Sequence, residues 1–220
     1  MRVLGLDAAT AACSAAVVED GRVLARISRP MEHGHAQALV PMILEAMGGR
    51  PFEELDAIGV TRGPGGFTGI RVALATARGL GLAAGRPVIG VTTFAAVARS
   101  AEPPAGASKL LVLIESKRPD LYAQLFDASG EALAEPAALL PDALPDYAGP
   151  GLLALAGDGA QRALPAFGGS ALLATGPAHP DAATVASMAA ELLARCGPPP
   201  APPSALYLKA PDVSFPKAKR

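Results

Sequence analysis

The sequence predicts an α/β protein built as two related lobes, and three observations predict it. The same order of elements occurs twice along the 220 residues: three short apolar runs, then alternating helical and strand-like stretches. Half of the residues are hydrophobic and 18% are charged, a composition that builds packed cores and does not support disorder. Between the two halves, residues 101–108 (Ala-Glu-Pro-Pro-Ala-Gly-Ala-Ser) read as a linker.

In the first half, residues 2–6, 12–18 and 23–27 read as strands. The last two are joined through Asp20-Gly21, whose tolerance of left-handed backbone suits a hairpin. A helix follows over His35 to Met47, with Leu39, Met42, Ile43 and Ala46 at helical spacing. Pro41 inside it predicts a late start or a kink. Residues 57–60 read as a strand, 68–84 as a helix, 87–91 as a strand and 94–100 as a short helix. After the linker come strands at 109–114 and 121–126. A turn at Asp127-Ala128-Ser129-Gly130 leads into a third, and a helix over about 140–147, a strand at 152–156 and a helix at 182–195 follow. This is the grammar of the actin-like (ASKHA, ribonuclease H-like) folds: duplicated lobes with mixed sheets, the second lobe smaller. The expected division is 1–103 for the first lobe and 108–196 for the second. A stiff spacer, Gly197-Pro198-Pro199-Pro200-Ala201-Pro202-Pro203, then leads to a segment 204–220 expected to pack back on the first lobe through Ala205-Leu206-Tyr207-Leu208-Lys209. The basic tail, Lys217-Ala218-Lys219-Arg220, reads first as a solvated end, with RNA contact as the lesser alternative.

A net charge of −1 leaves no whole-molecule attraction to nucleic acid or to an anionic membrane, so RNA contact requires a local patch or another subunit. Cys13 and Cys196 form neither a disulfide framework nor a zinc-type pair. The N-terminal apolar run meets Asp7 too early for a signal-peptide core. The uncharged stretch 163–180 is broken by Pro165, Gly168, Gly169, Gly176, Pro177 and Pro180, so it does not read as a membrane span. A cytoplasmic location is the expectation.

Four segments carry functional candidates. Asp7-Ala8-Ala9-Thr10 ends the first strand; in an actin-like cleft its backbone N–H groups and hydroxyl meet a phosphate, while spacing alone favours a self-satisfied Asp/Thr turn. Gly157-Asp158-Gly159 follows a strand of the second lobe at what reads as the matching place, and either a ligand loop or an Asp-Gly turn explains it. Asp7, Thr10, Gly157, Asp158 and Gly159 together make a candidate, vestigial nucleotide site. Arg62-Gly63-Pro64-Gly65-Gly66-Phe67-Thr68-Gly69-Ile70-Arg71 joins a strand to a helix with Thr68 as its expected N-cap, but has neither the Lys-Ser/Thr of a P-loop nor G-x-G-x-x-G.

The helix after that loop is apolar on nearly every side, with Arg71 and Arg78 as a narrow polar stripe, so it needs cover on two faces. The series Gly69, Ala73, Ala77, Gly81 permits close approach of another helix. The second cover is either the lobe itself or a partner chain. The candidate interface residues are Leu39, Met42, Ile43 and Ala46 of the earlier helix, with Gly69, Val72, Ala75, Thr76, Gly79, Leu82 and Ala83 of this one. His33 and His35 read by default as a polar loop entering a helix, with a metal site as the minor alternative, and no Ser-His-Asp set can be nominated.

Arg62 to Arg71 closely resembles the R-G-P-G-S-F-T-G-[VI]-R signature of the TsaB (YeaZ) family, with Gly66 in place of Ser. Leu6 to Ser14 resembles that family's opening segment, and His35 to Ile43 its H…L.P.i helix. Gly157 to Ala160 and Leu206 to Val213 resemble its later landmarks, in the same order along the chain. Residues 114–122 and Lys209 depart from the pattern. The resemblance implies an actin-like fold and a role in making the threonylcarbamoyladenosine beside the tRNA anticodon. It implies a non-catalytic scaffold that pairs through its two first-lobe helices with a metal-bearing TsaD-type paralogue, which transfers the threonylcarbamoyl group. A TsaE-type ATPase joins them, tRNA is met through the complex, no membrane is involved, and monomer or homodimer is left open for the chain alone. No cofactor is required, with ATP or ADP in the cleft or at a subunit interface left open. The alternative is an independent ATP-binding phosphotransferase or hydrolase of the actin-like superfamily.

Overall fold

The computed structural model describes residues 1–209; the basic tail 217–220 and the last residues of the family resemblance, 210–213, lie outside the described residues. The first half builds five strands, β1 (Arg2–Thr10), β2 (Ala12–Glu19), β3 (Arg22–Pro30), β4 (Ala57–Thr61) and β5 (Val88–Val91), in the order β3-β2-β1-β4-β5. The second builds β6 (Lys109–Glu115), β7 (Leu121–Asp127), β8 (Ala137–Leu139), β9 (Leu153–Ala156) and β10 (Ala171–Leu173), in the order β8-β7-β6-β9-β10. In each sheet the first strand pairs antiparallel with the second and parallel with the fourth, so the two sheets repeat one another strand for strand. This duplicated mixed sheet is the actin-like fold.

Two helices cover one face of the first sheet: α1 (His35–Met47) against β2 and β3, and α2 (Phe67–Ala84) against β1 and β4. Leu39, Met42, Ile43 and Ala46 of α1 and Ile70, Ala73, Leu74 and Ala77 of α2 share one core with Leu4, Leu6, Ile58 and Val60. α1 starts at His35 in spite of Pro41. Pro41 lies on the exposed side, so the carbonyl of Gln37, deprived of its N–H partner, faces solvent and not the core.

Two further helices cross between the lobes. α3 (Thr93–Ser100) comes from the first half, yet Phe94 and Val97 pack with Leu110, Val112 and Phe126 of the second sheet. α6 (Ala182–Cys196) ends the second half, yet Ala182, Ala183, Ala186 and Ala189 pack with Val3, Ala16, Val18 and Ala57 of the first. A division into 1–103 and 108–196 is therefore corrected: each sheet is covered on its inner face by a helix from the other half. α6 sits so close that a Cβ on Gly5 would lie 1.9 Å from the Ala182 carbonyl oxygen, and one on Gly59 2.7 Å from the Ala189 Cβ. The Arg26 Nε donates to Asp181 Oδ1 at 2.8 Å, and the Ala182 N–H donates to Ser14 Oγ at 3.2 Å, fixing the start of α6 on β2 and β3.

The second lobe departs more from expectation. After the turn at 127–130 only a single bridge, Phe126 to Ala132, forms, and the third strand appears later as β8. The helix expected at 140–147 is a 3₁₀ turn followed by α4 (Leu144–Ala148). The short α5 (Ala160–Ala163) and β10 have no periodic signal long enough to predict them. Among the described residues no helix is long and apolar enough to cross a membrane.

Candidate functional site

Asp7 follows the last residue of β1 that pairs with the parallel strand β4, three residues before β1 ends at Thr10. It is fully buried; its Oδ1 accepts from Thr61 Oγ1 at 2.6 Å and from the Ala9 N–H at 3.1 Å, while Oδ2 has no hydrogen-bond partner. Burial pushes its carboxyl up to about 7, against the pull of the Thr61 hydroxyl and the Ala9 N–H; the nearby charges of Asp158 and Asp181 push the same way as burial. Thr10 Oγ1 is likewise buried without a partner, and its carbonyl meets His35 Nε2 at 3.1 Å.

In the second lobe Asp158 follows β9, and its Oδ1 accepts from the Glu115 N–H at 2.9 Å. Burial raises its carboxyl as well, the Glu115 N–H and His179 pulling it down; His179 Nδ1 lies 3.8 Å from Oδ2. The two lobes thus use one device, a side chain tying the end of the first strand to the end of the fourth. The sheet duplication also corrects the pairing expected of the two loops. Asp7 lies on the first strand of its sheet, whereas Gly157-Asp158-Gly159 follows the fourth strand of the other, the place that Arg62-Gly63-Pro64 takes after β4. Asp7 and Asp158 are therefore not repeats of one position.

The glycines of both loops are accounted for within the chain. A Cβ on Gly157 would lie 2.2 Å from the Leu113 carbonyl oxygen, and one on Gly159 2.5 Å from Leu121 Cδ2. In the 62–71 loop, a Cβ on Gly65 would lie 2.0 Å from the Ala9 oxygen and one on Gly69 1.9 Å from the Ala8 oxygen, and the Gly66 N–H donates to Ala9 O at 2.7 Å. The loop clamps the Asp7–Thr10 turn with its own backbone. That contact starts α2 one residue early: the cap is Gly66, without a side-chain bond, and Thr68 is not the cap.

The helix faces divide the interface candidates. Leu39, Met42, Ile43 and Ala46 are buried in the first-lobe core, and Gly69 is buried on Ala8, so these five are corrected: their own lobe covers them. The series Gly69, Ala73, Ala77, Gly81 also faces inward, a Cβ on Gly81 reaching 2.6 Å from Val88 Cγ2; the helix is drawn close to its own sheet, not to a second helix. Val72 and Thr76 are half-buried, and Ala75, Gly79, Leu82 and Ala83 are exposed, Leu82 by 87%. Val40 and Leu44 of α1, 47% and 57% exposed, complete an outward apolar set that periodicity had not selected. Within the described residues the chain beyond the proline spacer touches the first lobe: the Leu206 N–H donates to Arg62 O at 2.7 Å, and Arg71 Nε donates to the Tyr207 hydroxyl at 3.0 Å. Lys209 then pairs with Asp120 of the second lobe at 2.7 Å. His33 is exposed and apart from this arrangement.

A family model described as TsaD, tRNA N6-adenosine threonylcarbamoyltransferase, matches residues 27–191, well over half of the chain. The chain is 38% identical to TsaB of Escherichia coli over 125 residues, 56% of this chain and 53% of that protein. A Pseudomonas aeruginosa structure described as similar to peptidase YeaZ superposes with a TM-score of 0.81 at 28% identity, over 94% of this chain and 99% of that one. The chain belongs to the TsaD family, in its TsaB (YeaZ) group. Haemophilus influenzae TsaB is 33% identical over 124 residues, and a second structure, YeaZ from Pseudomonas aeruginosa, gives a TM-score of 0.78. The chain spans about half the length of the curated TsaB relatives it matches.

Proposed function

We propose that this chain serves tRNA threonylcarbamoyladenosine biosynthesis as a scaffold that activates a TsaD-type catalytic subunit and does no chemistry with its own side chains. The observation that carries this reading is the outward apolar face of α1 and α2. In a TsaB-group protein, Leu82 stands 87% exposed beside Ala75, Gly79 and Ala83, and Val40 and Leu44 lie open on the adjacent helix. Packing a second helical pair there removes this surface from water, which drives association. In the absence of the paralogue, two copies of this chain cover the same face. A TsaE-type ATPase joins the pair, and tRNA is met through the assembled complex.

The test is light scattering during size-exclusion of the chain alone and mixed with its TsaD-type paralogue. A one-to-one complex that replaces both free species supports the scaffold; two unshifted peaks, with or without ATP, sink it.

A second reading has its own observation. Asp7 Oδ2 and Thr10 Oγ1 are buried and unpartnered at one turn, polar atoms that a bound ATP or ADP and its cation would satisfy. If the isolated chain releases phosphate from ATP and Asp7→Ala abolishes this, the enzyme reading displaces the scaffold.

A further inference from the structure

A cavity of about 460 Å³ opens where the proline spacer leaves α6 and crosses β5, and neither Asp7 nor Asp158 lines it. That volume falls in the range of about 300–1,000 Å³ typical of small-molecule sites. Ile89 of β5 and Leu192 of α6 line one part of it, while the Val88 side chain turns to the opposite face of the sheet. Pro198, Pro199, Pro200 and Pro203 form a proline wall. Proline has no N–H, so this wall presents rings and carbonyls and almost no donors. It is held in place at Pro203: the ring fills the space a Cβ on Gly90 would need, 2.5 Å away, and its carbonyl accepts from Arg78 Nη2 at 2.7 Å.

Among the described residues one charged side chain lines the cavity, that of Arg62. Its backbone is clamped on both sides, the N–H donating to Val91 O at 2.9 Å and the carbonyl accepting from Leu206. Its stem lies over Gly90, Cδ standing 3.1 Å from where a Cβ would be. Among the described residues no carboxylate pairs with its guanidinium. An unpaired, half-buried guanidinium at the edge of an apolar cavity is matched by one carboxylate, bound through two parallel N–H donors. A polyphosphate is not matched, because it needs several donors and cations and finds a proline wall. An amine is repelled by the same charge.

We propose that this cavity binds a small amphipathic monocarboxylate, with its carboxylate on Arg62 and its apolar body between Leu192, Ile89 and the proline wall. Nothing in this depends on the scaffold role.

Cys196 also lines the cavity and is exposed, whereas Cys13 is buried and burial pushes its thiol up to about 11. Cys196 therefore reports occupancy through its rate of labelling by N-ethylmaleimide, an uncharged reagent. Octanoate, octanol and octylamine, each below micelle-forming concentration, are the probes. Octanoate is expected to slow labelling, about tenfold at ten times its Kd; octanol slows it less, and octylamine does not. Arg62→Met brings octanoate down to the level of octanol, and Leu192→Trp, which fills the cavity, removes protection by both. Equal protection by octanoate and octylamine in the unaltered protein, or none from octanoate, overturns the proposal. That comparison needs no variant, so it stands even where Arg62→Met fails to fold.

Discussion

Asp7 has no access to water, and its protonation follows from that. Its folded value, raised to about 7, exceeds its ordinary 3.8, so the native chain holds a proton that the unfolded chain releases first. The sign is then set: this group's contribution to stability falls as pH rises from 3.8 towards 7, and is flat above and below that window. Asp7→Asn keeps an acceptor for Thr61 and cannot ionise. The stability difference between variant and parent, read from urea melts, is expected to move in the variant's favour from pH 4 to pH 7; a difference independent of pH would contradict the burial argument. The loop glycines give a second expectation. Gly69→Ala drives a Cβ into the Ala8 carbonyl and should cost about 1–3 kcal/mol in denaturant melts. Asp7 and the glycines were legible as special residues. Their reason was not, because the clamp of the 62–71 loop on residues 8 and 9 joins positions more than fifty residues apart.

Helix boundaries were read closely: α1 runs from His35 to Met47 as its periodicity predicts, and α2 differs from the reading by one residue. Which side of each helix faces out was read poorly. On α1 the regular apolar positions are the ones its own core consumes, so the outward residues are those the pattern leaves out, Val40 and Leu44. Two substitutions separate the faces. Ile43→Ala, inside, should cost about 2–5 kcal/mol of stability. Ala75→Arg or Gly79→Arg, outside, should change stability by no more than about 0.5 kcal/mol while abolishing association with the TsaD-type paralogue in light scattering. Space around Gly79 is open, so the new side chain meets nothing within its own chain. Retained association would remove that face from consideration.

Across the whole chain, the lobes are held together by exchange: α3 covers the second sheet, α6 the first, and the segment beyond the proline spacer touches both. Lys209 is the far end of that strap. Burial pushes the Asp120 carboxyl up, but Lys209 and Arg118 outweigh it and hold it below its ordinary value. A depressed carboxylate stabilises the fold above its ordinary value and loses that contribution as pH falls through the lower folded value. Lys209→Met should therefore lower the melting temperature at pH 7 and matter progressively less as pH falls below the ordinary value of Asp120; a loss independent of pH would make the contact one of packing alone.

The order of elements, the duplication, the spans of the long helices and the family signature are properties of local pattern, and residues 1–209 carry them in series. Short-range periodicity reports only that a residue is covered, never by what. The crossing of α3 and α6 between lobes depends on how the elements pack, as do the inward turn of the Gly69-Ala73-Ala77-Gly81 series and the clamp of the 62–71 loop on Ala8 and Ala9. Each joins segments far apart in the chain, so only the packed tertiary structure decides them.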